Sequence, residues 1–197
     1  MRKANKLHEG DTVAIVSPSW GGPSHFPEIH ENGLRIIKNK LGLQVKEFPT
    51  ARMNSKDVHA NPKLRADDIN SAFADPEING IIATIGGNDS IRILEFLDID
   101  LILSNPKLIM GYSDSTTFLS YLNLMGLVTF YGPCTMAGFS YLENFPDAMS
   151  EYRRFLFENS KIVIKPFSVW ADEYCDWARA DSIGMLKEIH ADSTGHH

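Results

Sequence analysis

The sequence predicts an α/β domain, an open and mostly parallel sheet with helices on both faces, of the type that carries a nucleophile elbow. Short apolar runs alternate with segments of helical period to give the order β-α-β-α-β-α-β-α-β. One of those runs, Ile78 to Ile85, is apolar nearly throughout, as expected of a strand covered on both faces. Another, Lys107-Leu108-Ile109-Met110, ends in Gly111-Tyr112-Ser113-Asp114-Ser115-Thr116-Thr117 and passes directly into Phe118-Leu119-Ser120-Tyr121-Leu122. That pattern is a buried strand, a sharp turn and a helix start, with Ser113 at the apex.

Each element follows from local chemistry. Asp11 to Ser17 is β-branched and flanked by Gly10 and by Pro18-Ser19, so it reads as the first strand. The loop Trp20-Gly21-Gly22-Pro23 follows, without the G-x-G-x-x-G spacing or the lysine that a nucleotide-phosphate loop needs. Pro27 to Lys40 has the apolar spacing of a covering helix, and Leu43 to Phe48 alternates as a second strand. Asn61-Pro62 opens another helix, with Asn61 as its cap, that runs to Asp75. The third strand ends in Gly86-Gly87-Asn88-Asp89, and Ser90 to Leu97 continues as a helix capped by Asn88 or Asp89. After the elbow helix, Val128 to Pro133 is a further strand and turn. Ala148 to Phe157 forms an amphipathic helix and Lys161 to Pro166 a short strand. Trp170 to Trp177 is aromatic and acidic, each tryptophan reading as a buried anchor or as part of a substrate cleft. The tail from Asp181 is too polar to pack.

Composition narrows the function classes. The 197 residues are 43% hydrophobic and 22% charged, ordinary for a globular chain. A net charge of −6 with no basic stripe excludes a general nucleic-acid or anionic-membrane binder. Cys134 and Cys175 have no close-spaced partners, so neither a disulfide framework nor a zinc site is expected, and no cofactor or metal is implied. The N-terminus has no apolar signal core and no stretch has the length of a membrane span, which makes the cytoplasm the expected location.

Three strand ends converge where ligands bind in open α/β sheets: Ser17-Pro18-Ser19, Gly86-Gly87-Asn88-Asp89 and Gly111-Tyr112-Ser113-Asp114. At an elbow the apex hydroxyl of Ser113 stands clear of the sheet, and the amide of Asp114 lies at a helix N-terminus, suited to a developing oxyanion. Gly86 or Gly87 would supply the second amide, since paired glycines leave backbone N–H groups unobstructed. The competing explanation is structural: Ser113 or Asp114 caps the next helix and the glycines form a tight turn. A serine nucleophile also needs a base. His25, just after the first strand, is the one intra-chain candidate, because the only histidines after Ser113 lie in the polar tail.

Four stretches together, Gly10 to Ser19, Ala83 to Ser90, Met110 to Thr116 and Phe130 to Pro133, resemble the LD-carboxypeptidase / microcin C immunity family of serine peptidases. The form Ile85-Gly86-Gly87-Asn88-Asp89-Ser90 is closer to the microcin-immunity branch than to the muropeptide branch. The resemblance implies Ser113 as nucleophile, the amides of Asp114 and of Gly87 or Gly86 as oxyanion hole, and Trp170 near a substrate-contacting loop. It implies no cofactor. Its substrates would be an LD-linked muropeptide or a peptidyl-nucleotide antibiotic such as microcin C. The family's triad is Ser-Glu-His, with Glu and His from a C-terminal domain. Residues 1–145 then form the N-terminal nucleophile domain, and residues 146–197 a linker and the start of that second domain. A chain of this extent alone is expected to be inactive or nearly so, with a homodimer or another partner covering its open face. The rival classes are a non-catalytic module binding a small anion and a remnant that needs a partner.

Overall fold

The computed structural model describes residues 1–159, 161, 163 and 166–191. Five parallel strands, β1 (Thr12–Val16), β2 (Gln44–Glu47), β3 (Ile78–Ala83), β4 (Leu108–Gly111) and β5 (Phe130–Tyr131), form one sheet in the order β2-β1-β3-β4-β5. The helices that matter here are α1 (Gly22–His25), α2 (Pro27–Leu41), α3 (Ser55–Ala60), α4 (Pro62–Ala74), α5 (Ile99–Ser104), α6 (Thr116–Met125) and α7 (Pro146–Phe157). The expected open α/β architecture is therefore present.

The three central strands β1, β3 and β4 are mostly apolar on both sides because both sides are covered, whereas the edge strand β2 is polar and partly exposed. Along β1, Ala14 and Val16 pack with Ile69 and Phe73 of α4 and Phe118 and Leu122 of α6. Val13 and Ile15 face the other way, toward Leu34, Ile37 and Leu41 of α2 and Leu156 of α7. The same alternation separates Ile81 from Ile82 and Ile109 from Met110. A period of two with no polar phase identifies a central parallel strand. At about 25 cal/mol per Å² of apolar surface, these two layers supply the main stabilising term.

Several local expectations change. Ser90 to Phe96 is a 3-10 helix rather than an α-helix, and Asp89 makes no capping bond to it. Asn61 does not cap α4 either; its side-chain amide donates back to the Asp57 carbonyl, at the end of α3. α3 and α5 are additional short helices, capped by Asn54 and Asp98. The tail is not too polar to pack: Ile183 and Leu186 lie against Ile29, Met136 and Tyr141, and Asn144 donates to the Gly184 carbonyl. Half of the strand expected over Lys161 to Pro166 lies outside the described residues, and Lys161, Val163 and Pro166 are in no strand. Beyond the main sheet, β6 (Val169–Ala171) and β7 (Ile189–Ala191) form a two-stranded antiparallel ribbon.

The chain leaves β1 for β2 on one side and returns to β3 on the other, so the crevice at the carboxyl ends of β1 and β3 is the topological switch point. One close approach fixes α2 beneath it. A Cβ at Gly33 would sit 2.2 Å from the Thr135 carbonyl oxygen, and Thr135 is itself pinned by its amide bond to Ala83. Helix propensity favours alanine over glycine by about 1 kcal/mol, but overpacking against fixed backbone costs about 1–3 kcal/mol. Gly33→Ala should accordingly lower the urea midpoint, whereas glycine-to-alanine exchange at an open helical site raises it.

Candidate active site

The bend between β4 and α6 has the geometry of an elbow. Tyr112 is extended, with φ −152° and ψ −173°, and Ser113 then takes a φ of 58°, the only positive φ at a non-glycine residue among the described residues. Holding a side-chain-bearing residue there costs about 1–3 kcal/mol, and surrounding packing must enforce it. Ser113 is exposed, as an apex residue should be. A Cβ placed on Gly86 would lie 2.9 Å from Ser113 Oγ and 3.2 Å from the Asp114 amide nitrogen. The hydroxyl, the Asp114 amide and the diglycine turn thus share one small space that a side chain at residue 86 would fill. Gly87, with φ 154°, leans on the first loop, where a Cβ would meet Ser19 Oγ at 2.2 Å and Trp20 Cβ at 3.0 Å.

The capping explanation for Ser113 and Asp114 fails, because neither side chain bonds to the start of the helix. The Asp114 carboxylate turns the other way. Its Oδ2 accepts the Ser19 hydroxyl, the Asp89 amide at 3.0 Å and the Ser90 amide at 2.8 Å, while Ser90 Oγ donates to the Asp114 carbonyl at 2.7 Å. Burial raises the pKa of this carboxyl, but the bonds from Ser19, Ser90 and Asp89 outweigh burial and hold it below the ordinary value.

Asp89 is gripped from below by Arg65 of α4, a fully buried arginine. Its Nη2 pairs with Asp89 Oδ2 at 2.9 Å, and its Nη1 donates to the carbonyls of Pro18 at 2.9 Å and of Ser19 and Asp89 at 3.3 Å. Burial pulls the guanidinium pKa down and Asp89 pulls it back up, with a net lowering. His59 and Arg92 also reach Asp89 Oδ2, at 3.0 and 3.2 Å. Neither Arg65 nor the Asp114 carboxylate emerged from sequence reasoning. The readable signal was positional: Arg65 lies four and eight residues before Ile69 and Phe73, on the apolar stripe of its helix.

The other expected residues are placed as follows. His25 does not reach Ser113; its exposed ring stacks on Trp20 with centroids 5.6 Å apart. Among the described residues no side chain hydrogen-bonds Ser113 Oγ. Trp170 is half exposed and stacks on its cross-strand partner His190 at 4.4 Å, so it is not a buried anchor. Trp177 is a partly buried anchor: its indole N–H donates to the Tyr141 hydroxyl and its ring meets Phe26 edge-on. A cavity of about 270 Å³ begins at Tyr112, next to Ser113, between Tyr131, Tyr152 and Tyr174. It shares Pro133, Gly138, Tyr152 and Tyr174 with a larger cavity of about 410 Å³ that Trp170 lines. Burial pushes the Tyr112 hydroxyl pKa well up, and the Tyr141 hydroxyl to about 12, so both stay neutral hydrogen-bonding groups. The described residues include one group able to hold a metal ion, Asp172, Glu188 and His190, whose ligand atoms lie within 4.8 Å of one another on the exposed ribbon. No described helix is long and apolar enough to cross a membrane.

A parallel sheet with a strained serine above its carboxyl edge defines the class, an α/β domain with a strand–turn–helix elbow. Residues 13–132, more than half of the chain, match the LD-carboxypeptidase N-terminal domain, and the chain belongs to that family. The microcin C7 self-immunity protein MccF of Escherichia coli is 36% identical over 184 residues, covering 88% of this chain and 52% of that protein. The solved structure of MccF in complex with glutamyl sulfamoyl guanosine superposes with a TM-score of 0.85 at 27% identity, over 96% of this chain and 57% of that one. An MccF-like protein from Bacillus anthracis gives a TM-score of 0.81 at 26% identity, over 98% of this chain and 57% of that one. The chain spans about half the length of the relatives it matches.

Two stability measurements check the elbow. Ser113→Gly relieves the positive φ and should raise unfolding free energy by about 1 kcal/mol, a gain that Ser113→Ala does not share. Ser115 Oγ is buried without a partner among the described residues, and Ser115→Ala should likewise stabilise by about 1 kcal/mol in urea unfolding.

Proposed function

We propose that this chain carries the nucleophile-bearing part of a serine hydrolase that cleaves an amide next to a C-terminal group. The observation that carries the reading is Ser113 itself, exposed and strained at φ 58°, with Gly86 and the Asp114 amide beside its hydroxyl. In this reaction Ser113 Oγ attacks the amide carbonyl and loses its proton to a base. Negative charge develops on the carbonyl oxygen, where the amides of Asp114 and of Gly87 or Gly86 receive it. The C–N bond breaks as the base returns the proton to the leaving amine, and water then hydrolyses the acyl-enzyme.

By family resemblance the base is a histidine oriented by a glutamate, both from sequence beyond a nucleophile domain of residues 1–145. Residues 146–197 would lead into that part and bring Trp170 toward substrate. Membership of the LD-carboxypeptidase family supports an LD-linked muropeptide as substrate, and the likeness to MccF supports a peptidyl-nucleotide antibiotic. The corresponding roles are peptidoglycan recycling in the cytoplasm and antibiotic immunity. The joined aromatic cavities beside Tyr112 suit either a peptide stem or a flat base. The alternative reading, a non-catalytic module that holds a small anion at the strand ends, draws on Ser113 having no base among the described residues.

A fluorophosphonate probe separates the two readings. The 197-residue chain should label slowly at Ser113, and labelling should vanish in Ser113→Ala. A form that also carries the family's Glu and His should label faster by several orders of magnitude, the usual cost of a missing base. If Ser113 stays unlabelled in both forms, the hydrolase reading fails and the anion-binding module takes its place.

A further inference from the structure

Asp114 enters the reaction through its backbone amide, yet its side chain makes the denser set of contacts. One oxygen, Oδ2, takes donors from two separate strand-end loops. The Ser19 hydroxyl comes from the loop after β1, and the Asp89 and Ser90 amides come from the turn after β3. Those two amides lie immediately beyond Gly86-Gly87-Asn88. Ser19 Oγ in turn occupies the space where a Cβ of Gly87 would stand, so the loop that carries Ser19 is packed beneath Gly87. The carboxylate is below its ordinary pKa and remains charged, and charge-assisted bonds to backbone N–H groups are about twice as strong as neutral ones.

We infer that the Asp114 carboxylate is a positioning residue: it fastens the Gly86–Ser90 turn over Ser113 and so sets the distance between the two amides that would flank an oxyanion. Its chemical consequence rests on the Ser113 reading, while the fastening itself does not. Asp114→Ala removes only the carboxylate and keeps the Asp114 amide, so it isolates the clamp from the donor. Asp114→Asn keeps a carbonyl oxygen able to stand where Oδ2 stands and to accept the same two amides. Groups that could compensate are Ser19 Oγ, which also accepts the Asp89 amide at 3.3 Å, and Arg65, which donates to the Ser19 and Asp89 carbonyls as well as to Asp89 Oδ2. Arg92 and His59 act on Asp89 Oδ2, and none of these groups takes the Ser90 amide, which makes Ser90 the sharper reporter.

Amide hydrogen exchange and probe labelling on the wild type and both variants test this directly. In Asp114→Ala the Asp89 and Ser90 amides should exchange at least tenfold faster while the Val13 to Ile15 amides of β1 keep their protection. The fluorophosphonate labelling rate of Ser113 should fall at least tenfold in the same variant, and Asp114→Asn should restore most of both. Unchanged exchange at Asp89 and Ser90 overturns the inference, as does wild-type labelling by Asp114→Ala. Equal loss of protection across β1 overturns it too, since the carboxylate would then be a general stabiliser. Were the wild type unlabelled both as this chain and in the form that carries the family's Glu and His, but its Asp89 and Ser90 amides freed in Asp114→Ala, the clamp would stand and the nucleophile reading would fall.

Discussion

A guanidinium with no solvent exposure is the constraint on which the rest of this structure turns. Removing such a group from water costs several kcal/mol unless its donors are met with good geometry. Arg65 meets that demand at both terminal nitrogens, with three carbonyls and one carboxylate drawn from the loops after β1 and β3, and leaves its buried Nε without a partner among the described residues. Both loops must therefore occupy one arrangement for the charge to be tolerated at all. That requirement turns two polar loops over a sheet edge into a fixed floor, on which the strained serine and its neighbouring amides can be held. Hydrophobic packing places the strands; the buried charge places their ends.

The sheet was legible because its pattern had one physical cause. Gly80 to Ala83 and Leu108 to Met110 are apolar without a polar phase, and only strands covered on both faces read that way. The elbow was legible for a similar reason, since a strand meeting a helix through glycine and serine leaves few backbone solutions. Side-chain partners across the loops were not legible. Asp89, Asp114 and Asn61 all stood where helix caps stand, but Asp89 binds Arg65 of α4, Asp114 binds the loops after β1 and β3, and Asn61 bonds back to the preceding helix. A capping residue and a long-range ligand have the same sequence signature, because both are short polar side chains at the mouth of a helix. Tertiary contacts decided between them. The polar tail misled for another reason: two apolar residues, Ile183 and Leu186, are enough to dock a segment when a hydrophobic seat is waiting.

The family assignment and the geometry bear on different questions. Membership accounts for the sheet order, the elbow and the diglycine turn appearing together in one chain. The geometry accounts for why those pieces must be assembled in that way, and it sets an aromatic cavity against Tyr112, the residue before the serine.

The common elbow pattern G-x-S-x-G ends in glycine, whereas this chain has Ser115 at that place, and the structure shows what makes the change tolerable. A Cβ on Gly111 would come within 3.0 Å of Ser115 Cβ and 3.2 Å of Ala83 Cβ. The crowding joins three residues, so the quantity under constraint is the combined bulk of residues 83, 111 and 115. Shrinking 115 to glycine would relieve only part of it, and enlargement at 111 would also need the β3 neighbour at 83 to give way, which ties the helix start to two adjacent strands across the strand–helix seam.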